Sequence, residues 1–88
     1  MTFPAKATPE FWGHYRALPR EAKKAARKAF ELWRAAPFHP SLHFKKVGKA
    51  KWSARVGSSY RSVGRFEAGV FVWSWIGSHA DYDNLLKR

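Results

Sequence analysis

The chain has 88 residues, 17 Lys and Arg against 6 Asp and Glu, a formal net charge of +11 and no cysteine. This length predicts one small domain over residues 1–88, and the lack of cysteine excludes disulfide frameworks, cysteine-ligated zinc and thiol catalysis. No apolar run approaches the roughly 18 residues that cross a bilayer, and the N-terminal stretch has no apolar signal region, so we expect a cytoplasmic protein without a membrane partner.

Two helices are predicted in the first half of the chain. Thr8 can cap a first helix that has Pro9 at its first position and ends by Leu18, because Pro19 disfavours helical backbone there. A second helix is predicted over residues 20–36, where apolar residues recur about every 3.6 positions opposite a charged face. The small alanines of this stripe favour close packing of the two helices as an antiparallel hairpin.

After a loop at residues 37–40, apolar residues recur at every second position, which is typical of β-strands. A first strand is predicted around Leu42 and Phe44, and further strands follow at residues 52–56, 60–66 and 70–76. Glycines between these segments favour tight turns. The last strand is apolar on both faces, so we expect both to be covered. Strict alternation places on one face Val70, Val72 and Ile76, and on the other Phe71, Trp73 and Trp75.

A short C-terminal helix completes the predicted fold. Ser78, followed three residues later by Asp81, is a typical helix start, and Leu85 and Leu86 are expected to point inward. The predicted fold class is α+β, with an N-terminal antiparallel helical hairpin packed on a twisted antiparallel sheet of three to four strands, followed by this helix.

The positive charge is concentrated in the middle of the chain. No acidic residue occurs between Glu31 and Glu67. The basic residues in that interval are Arg34, Lys45, Lys46, Lys49, Lys51, Arg55, Arg61 and Arg65. This stretch predicts a phosphate-facing surface, and therefore nucleic acid or an acidic protein as partner. A basic surface that only aids solubility is the alternative.

One histidine and two arginines are the candidate chemical groups. His79 lies in the first turn of the predicted terminal helix, where an imidazole can act as a general base or acid near pH 7. Arg55 and Arg61 flank the turn at Gly57, and a tight hairpin there puts both guanidinium groups on one face of the sheet. Such a pair suits bidentate phosphate contact and stabilises charge on a phosphorane. The alternatives are a capping histidine and arginines that make an exposed face soluble.

Tyr60 and Tyr82 are candidates for base stacking or proton transfer, with partial burial in the core as the alternative. Lys45 and Lys46 extend the arginine patch. Neither glycine-rich phosphate-loop pattern occurs, and the four histidines lack the spacing of a zinc protease motif, so we expect no metal and no cofactor.

Three segments together resemble a known family: PFHPSLHFKKV (37–47), WSARVGSSYRSVG (52–64) and WSWIGSHADYDNLL (73–86). They are similar to the RelE/ParE superfamily of bacterial type II toxins, in particular a ParE-like branch with a strand ending in IGSH. The resemblance implies an α/β toxin that is wrapped by an acidic or amphipathic segment of a cognate antitoxin. RelE-like members cleave messenger RNA on the ribosome without metal, through attack of the ribose 2′-hydroxyl on the neighbouring phosphate. ParE-like members poison DNA gyrase.

The resemblance also assigns residues. Arg61 matches the arginine that ribonuclease members aim at the scissile phosphate, His79 a histidine near the end of the last strand, and Tyr82 a nearby C-terminal tyrosine. With Arg55, these form the predicted catalytic set. The predicted RNA-binding residues are Lys45, Lys46, His43, Lys49, Lys51, Arg65 and Tyr60. Two departures are evident: the usual N-terminal edge strand is hard to find in MTFPAKA, and no clear carboxylate base lies on the sheet face.

The favoured function is therefore a toxin that is a metal-independent endoribonuclease of ribosome-bound messenger RNA. A non-catalytic gyrase inhibitor of the ParE type is one alternative. A plain basic nucleic-acid-binding module, for which charge alone suffices, is the other.

Overall fold

Three α-helices and five strands are present in the computed structural model, which describes residues 2–87. In chain order they are β1 (Ala5–Ala7), α1 (Pro9–Arg16), α2 (Arg20–Ala35), a 3₁₀ turn (Pro40–Leu42), β2 (Lys45–Lys46), β3 (Trp52–Val56), β4 (Tyr60–Glu67), β5 (Val70–Ser78) and α3 (His79–Leu86). The α+β class predicted from the sequence is confirmed.

The strands form one sheet in the order β1-β5-β4-β3-β2, in which β1 is parallel to β5 and the other neighbours are antiparallel. The predicted antiparallel sheet of three to four strands is therefore not exact. Alternation cannot reveal β1, since a three-residue strand contains too few side chains for a pattern. The strand expected around Leu42 begins only at Lys45, because the chain first makes a 3₁₀ turn that ends at His43 in the left-handed conformation (φ 45°).

Both predicted N-terminal helices are present. α1 begins as expected, because the Oγ1 atom of Thr8 accepts a 3.1 Å hydrogen bond from the backbone N–H of Phe11. The predicted hairpin is less exact, because α1 packs mainly on β5 and α2 mainly on β3. Ala22 and Ala26 are buried in the core that this packing creates. The helices meet each other through larger groups, with the rings of Phe11 and Phe30 5.7 Å apart.

Aromatic side chains fill the core between the helices and the sheet. Trp33 of α2 and Phe71 of β5 are fully buried, and their ring centroids are 5.3 Å apart. Phe44 and Trp73 approach Phe71 edge-on, at 5.4 and 4.6 Å. Edge contacts of this kind stabilise by about 0.5–1.5 kcal/mol each beyond the area that they bury. A few large rings therefore give this short chain a dense core.

A β-bulge in β5 changes which side chains face the core. The register with β4 skips Ser74, so that this residue has no partner in the ladder. Because side chains alternate along a strand, the extra residue moves Ile76 onto the face of Phe71 and Trp73 and turns Trp75 to the opposite face. Ile76 accordingly joins the core. The alternation predicted for this strand is therefore wrong beyond Trp73.

The C-terminal helix starts as predicted, with the Oγ atom of Ser78 accepting a 3.1 Å hydrogen bond from the backbone N–H of Asp81. Leu85 and Leu86 are both predicted to point inward. Leu85 is half-buried, whereas Leu86 is exposed, so the prediction is wrong for Leu86. Tyr82 is instead the buried residue of α3.

Two glycines give a test of this packing. A Cβ atom at Gly13, inside α1, would meet no other atom within 4 Å. Because glycine in a helix costs about 0.5–1 kcal/mol relative to alanine, Gly13→Ala is expected to raise the free energy of unfolding by that amount. Urea denaturation followed by tryptophan fluorescence measures the change. Gly64→Ala is the contrast, because its Cβ would clash with the carbonyl oxygen of Val72 and with the Phe71 ring. It should destabilise the protein, and equal effects of the two variants would contradict the packing described.

Candidate functional site

The face of the sheet opposite the aromatic core contains the two predicted arginines. Arg55 of β3 lies directly opposite Arg61 of β4, and Arg61 lies directly opposite Gly77 of β5. Residues paired in this way point to the same face of a sheet. Both guanidinium groups therefore start from one face, as the hairpin at Gly57 predicts. We call this the arginine face; α3 packs beside it, against β4 and β5.

Arg61 is a buried cation, with only 8% of its surface exposed. Its Nη2 atom donates a 2.6 Å hydrogen bond to the Oγ atom of Ser53, and its guanidinium carbon lies 5.0 Å from the centre of the Tyr82 ring. Its Nε atom is buried without a hydrogen-bond partner. The ion pairs found within residues 2–87 all involve other side chains. An unpaired buried charge is unfavourable, and a bound anion would supply the missing counter-charge.

His79 begins α3 at the end of the arginine face. Its backbone N–H donates a 2.8 Å hydrogen bond to the carbonyl of Ser59, which fixes the start of the helix beside the turn between β3 and β4. Its imidazole is exposed, with Nε2 3.9 Å from Oδ2 of Asp83 and the ring centroid 6.0 Å from that of Tyr82. An exposed imidazole in this position can exchange a proton with a bound substrate.

A cleft of about 240 Å³ joins these groups. It is lined by His43, Arg55, Ser58, Tyr60, Arg61 and His79. Five of the six are residues that the sequence singles out, and the fold brings them together from separate segments. His43 enters with left-handed backbone angles, φ 45° and ψ 43°. Residues other than glycine rarely adopt this backbone conformation, and such outliers cluster at functional sites.

The two candidate tyrosines are placed differently. Tyr60 lines the cleft and also packs against the aromatic core. Tyr82 does not line the cleft; it is 5% exposed, and its hydroxyl donates a 3.1 Å hydrogen bond to the Oγ atom of Ser53. Ser53 itself is fully buried. Sequence reasoning misses Ser53, and the available signal is its position two residues before Arg55, on the same face of β3.

Lys45 and Lys46 belong to opposite faces of β2. Lys45 pairs with Ser53 and therefore shares the arginine face, whereas Lys46 pairs with Trp52 on the core face. Both lysines are exposed. Only Lys45 extends the arginine face.

The other basic residues predicted to bind RNA lie outside the cleft. Lys49 and Lys51 are exposed in the connection between β2 and β3. Arg65 forms a 3.0 Å ion pair with Glu67 at the end of β4. These residues strengthen the positive field without lining the cleft.

Two kinds of feature are not found within residues 2–87. No three His, Asp or Glu side chains form a group that could hold a metal ion. No helix in this part of the chain is long and apolar enough to cross a membrane.

Comparison with known proteins identifies the fold. No protein-family model matches the sequence, and no curated protein matches it. Solved structures do match, and they define the class: the chain has the α+β fold of RelE and YafQ toxins from type II toxin–antitoxin systems.

The matching structures include toxin–antitoxin complexes, among them the following three. The RelB–RelE complex of Methanococcus jannaschii matches with a TM-score of 0.70 and 13% identity, over 90% of this chain and 95% of that chain. The RelBE2 complex of Mycobacterium tuberculosis matches with a TM-score of 0.71 and 18% identity, over 90% and 100%. The DinJ–YafQ complex of Escherichia coli matches with a TM-score of 0.69 and 9% identity, over 92% and 97%. Identities this low establish the fold alone.

These neighbours bear on the resemblance inferred from the sequence. They support its RelE side, because the matching toxins are RelE and YafQ proteins. They do not support the ParE-like branch. The IGSH segment that favours that branch is the end of β5, with Ser78 as helix cap, followed by the first residue of α3, a local feature that can arise at any strand–helix junction.

The buried charge of Arg61 gives a stability prediction. Arg61→Met fills a similar volume without an unpaired charge, so it is expected to raise the free energy of unfolding by about 1 kcal/mol or more. Urea denaturation measures the change. Arg65→Met is the matched control, because that guanidinium is exposed; its effect should stay within about 0.5 kcal/mol. A clear loss of stability in Arg61→Met would show that the contacts to Ser53 and Tyr82 outweigh the burial of the charge.

Proposed function

We propose that the protein is the toxin of a type II toxin–antitoxin system, and that it is a metal-independent endoribonuclease acting on messenger RNA in the ribosome. The observation that carries this proposal is the cleft, in which the buried, unpaired Arg61 lies beside His79 on a RelE-like fold. A guanidinium held in this way suits one phosphate group. RNA supplies a phosphate with a ribose 2′-hydroxyl next to it.

The proposed reaction uses groups of the protein and of the RNA. The 2′-oxygen attacks the neighbouring phosphorus, a 2′-O–P bond forms and the P–O5′ bond breaks, which leaves a cyclic phosphate and a 5′-hydroxyl. Arg61, assisted by Arg55, stabilises the extra negative charge on the phosphorane. His79 takes the 2′-hydroxyl proton, and His43, which lines the same cleft, protonates the leaving 5′-oxygen.

The ribosome has a defined part in this proposal. The cleft offers few groups, so much of the rate enhancement must come from holding the RNA in a reactive geometry. The exposed Lys45, Lys46, Lys49, Lys51 and Arg65 bind ribosomal and messenger RNA phosphates around the cleft. Tyr60, half-buried at the cleft wall, stacks on a base.

A cognate antitoxin is the proposed protein partner. The three structural neighbours described above are toxin–antitoxin complexes. With a net charge of +11, this chain favours an antitoxin with an acidic segment, because complementary charge speeds association and selects the partner. Such a pair would act in the cytoplasm, where messenger RNA is translated.

The alternatives explain less. The fold comparison gives no support to a gyrase inhibitor. A plain nucleic-acid-binding module accounts for the exposed lysines, but it needs neither a buried cation nor an imidazole in the same cleft.

Messenger RNA cleavage tests the proposal directly. The protein and its variants are added to ribosomes programmed with a defined messenger RNA, and the new RNA ends are mapped by primer extension. Arg61→Ala and His79→Ala are each expected to lower the cleavage rate by about 100-fold or more, because each removes a group that acts in the transition state. Lys24→Ala, an exposed change on α2 across the sheet, is the control with the same loss of charge.

Two outcomes would contradict the proposal. One is growth arrest by Arg61→Ala and His79→Ala as strong as that by the parent protein. The other is accumulation of cleaved DNA–gyrase complexes with intact messenger RNA, which would restore the gyrase hypothesis.

A further inference from the structure

We propose that Ser53 is a positioning residue for Arg61, and that Tyr82 acts through Ser53 instead of donating a proton to the substrate. The inference rests on the proposed function above, because it concerns the same cleft. It deepens that function by assigning a role to a residue with no charge and by changing the role of a tyrosine that the sequence places among the catalytic residues.

The hydroxyl of Ser53 joins three elements. Ser53 lies on β3 and is completely buried. Its Oγ atom accepts a 2.6 Å hydrogen bond from Nη2 of Arg61 on β4 and a 3.1 Å hydrogen bond from the hydroxyl of Tyr82 on α3. A hydroxyl oxygen has two lone pairs, and both are occupied here. Ser53 therefore serves as a fixed acceptor between the arginine and the tyrosine.

These contacts determine how the guanidinium of Arg61 is presented. One terminal nitrogen is held by Ser53, and the guanidinium carbon lies 5.0 Å from the centre of the Tyr82 ring. The Nε atom has no partner. The group is thus anchored at one end and along one face, and Arg61 at the same time lines the cleft in which a phosphate would bind. A positioned fork of this kind keeps its orientation as the phosphorane forms, so that reorientation adds little to the barrier.

The same geometry removes Tyr82 from proton transfer. Its hydroxyl hydrogen is directed to Ser53, the residue is 5% exposed, and it does not line the cleft. Its ring instead lies 6.0 Å from the imidazole of His79, at an interplanar angle of 26°. Tyr82 therefore holds Arg61 through Ser53 and supports His79 through its ring.

A double-mutant cycle on messenger RNA cleavage tests the inference. Ser53→Ala and Tyr82→Phe are each expected to lower kcat by about 10- to 100-fold, the loss typical of a misplaced catalytic group, with KM changed much less. The double variant should be no slower than Ser53→Ala, because both changes break one chain of hydrogen bonds. Multiplying losses would overturn the inference, since they would give Tyr82 a role of its own. Unchanged kcat in either single variant would also overturn it.

Ser62→Ala is the matched control. Ser62 is another fully buried serine, on β4, and its Oγ atom donates a 2.8 Å hydrogen bond to the carbonyl of Trp75. Its loss removes a hydroxyl of the same size and burial without touching Arg61. It should leave kcat unchanged. Thermal unfolding of each variant verifies that it is folded.

A second measurement does not depend on activity. In the parent protein the anchored guanidinium of Arg61 should give resolved, slowly exchanging Nη resonances in ¹H–¹⁵N NMR spectra. In Ser53→Ala the guanidinium should rotate freely, so that its separate Nη resonances merge. Tyr82→Phe should broaden them, and Ser62→Ala should leave them unchanged. Unchanged resonances in Ser53→Ala would overturn the inference even if the protein cleaves RNA. If the NMR changes occur as expected but the protein cleaves no messenger RNA, the proposed function is contradicted and the anchoring of Arg61 by Ser53 is supported.

Discussion

The burial of one unpaired guanidinium constrains the whole arginine face. Removing a charge from water is costly, and Arg61 has only a serine hydroxyl and an aromatic ring to offset it. Those two groups come from β3 and α3. Tyr82 is also the buried residue of α3, so the attachment of the helix and the presentation of Arg61 depend on the same contacts. A change that loosens α3 must therefore also loosen the site.

The other face of the sheet offsets the free-energy cost of burying Arg61. Its aromatic core supplies the stability, which leaves the arginine face free to hold an unfavourable group. The bulge at Ser74 links the two faces, because it gives Ile76 to the core and turns Trp75 outward. Gly77 completes the arrangement: a Cβ there would lie 2.5 Å from the Trp75 ring, so only glycine leaves room for the indole at this position.

Some of this structure is visible in the sequence and some is not. The apolar stripe of α2 predicts the long helix, because its period repeats over about four turns. The alternating strands on both sides of the turn at Gly57 predict the pairing of Arg55 with Arg61. β1 and the bulge at Ser74 leave no such trace, since a three-residue strand and a single extra residue produce no periodicity. Ser53 is hidden for another reason: its importance comes from hydrogen bonds that cross between elements. Arg55, Arg61 and His79 could be selected as candidates because charge and imidazole chemistry identify them without reference to their neighbours, and their catalytic role stays a prediction.

The long-range positive field and the chemistry of the cleft depend on different residues in this protein. Arg61 is the one buried charged side chain within residues 2–87, so the other described basic residues generate their field from positions in contact with water. In physiological salt such a field decays over about 8 Å, and it governs which partners approach and how fast. A desolvated guanidinium acts instead at contact distance, where a low dielectric strengthens the attraction between opposite charges. The charge of +11 therefore predicts the class of partner, whereas the single buried, unpaired cation in the described part of the chain is the feature on which the proposed chemistry of the cleft rests.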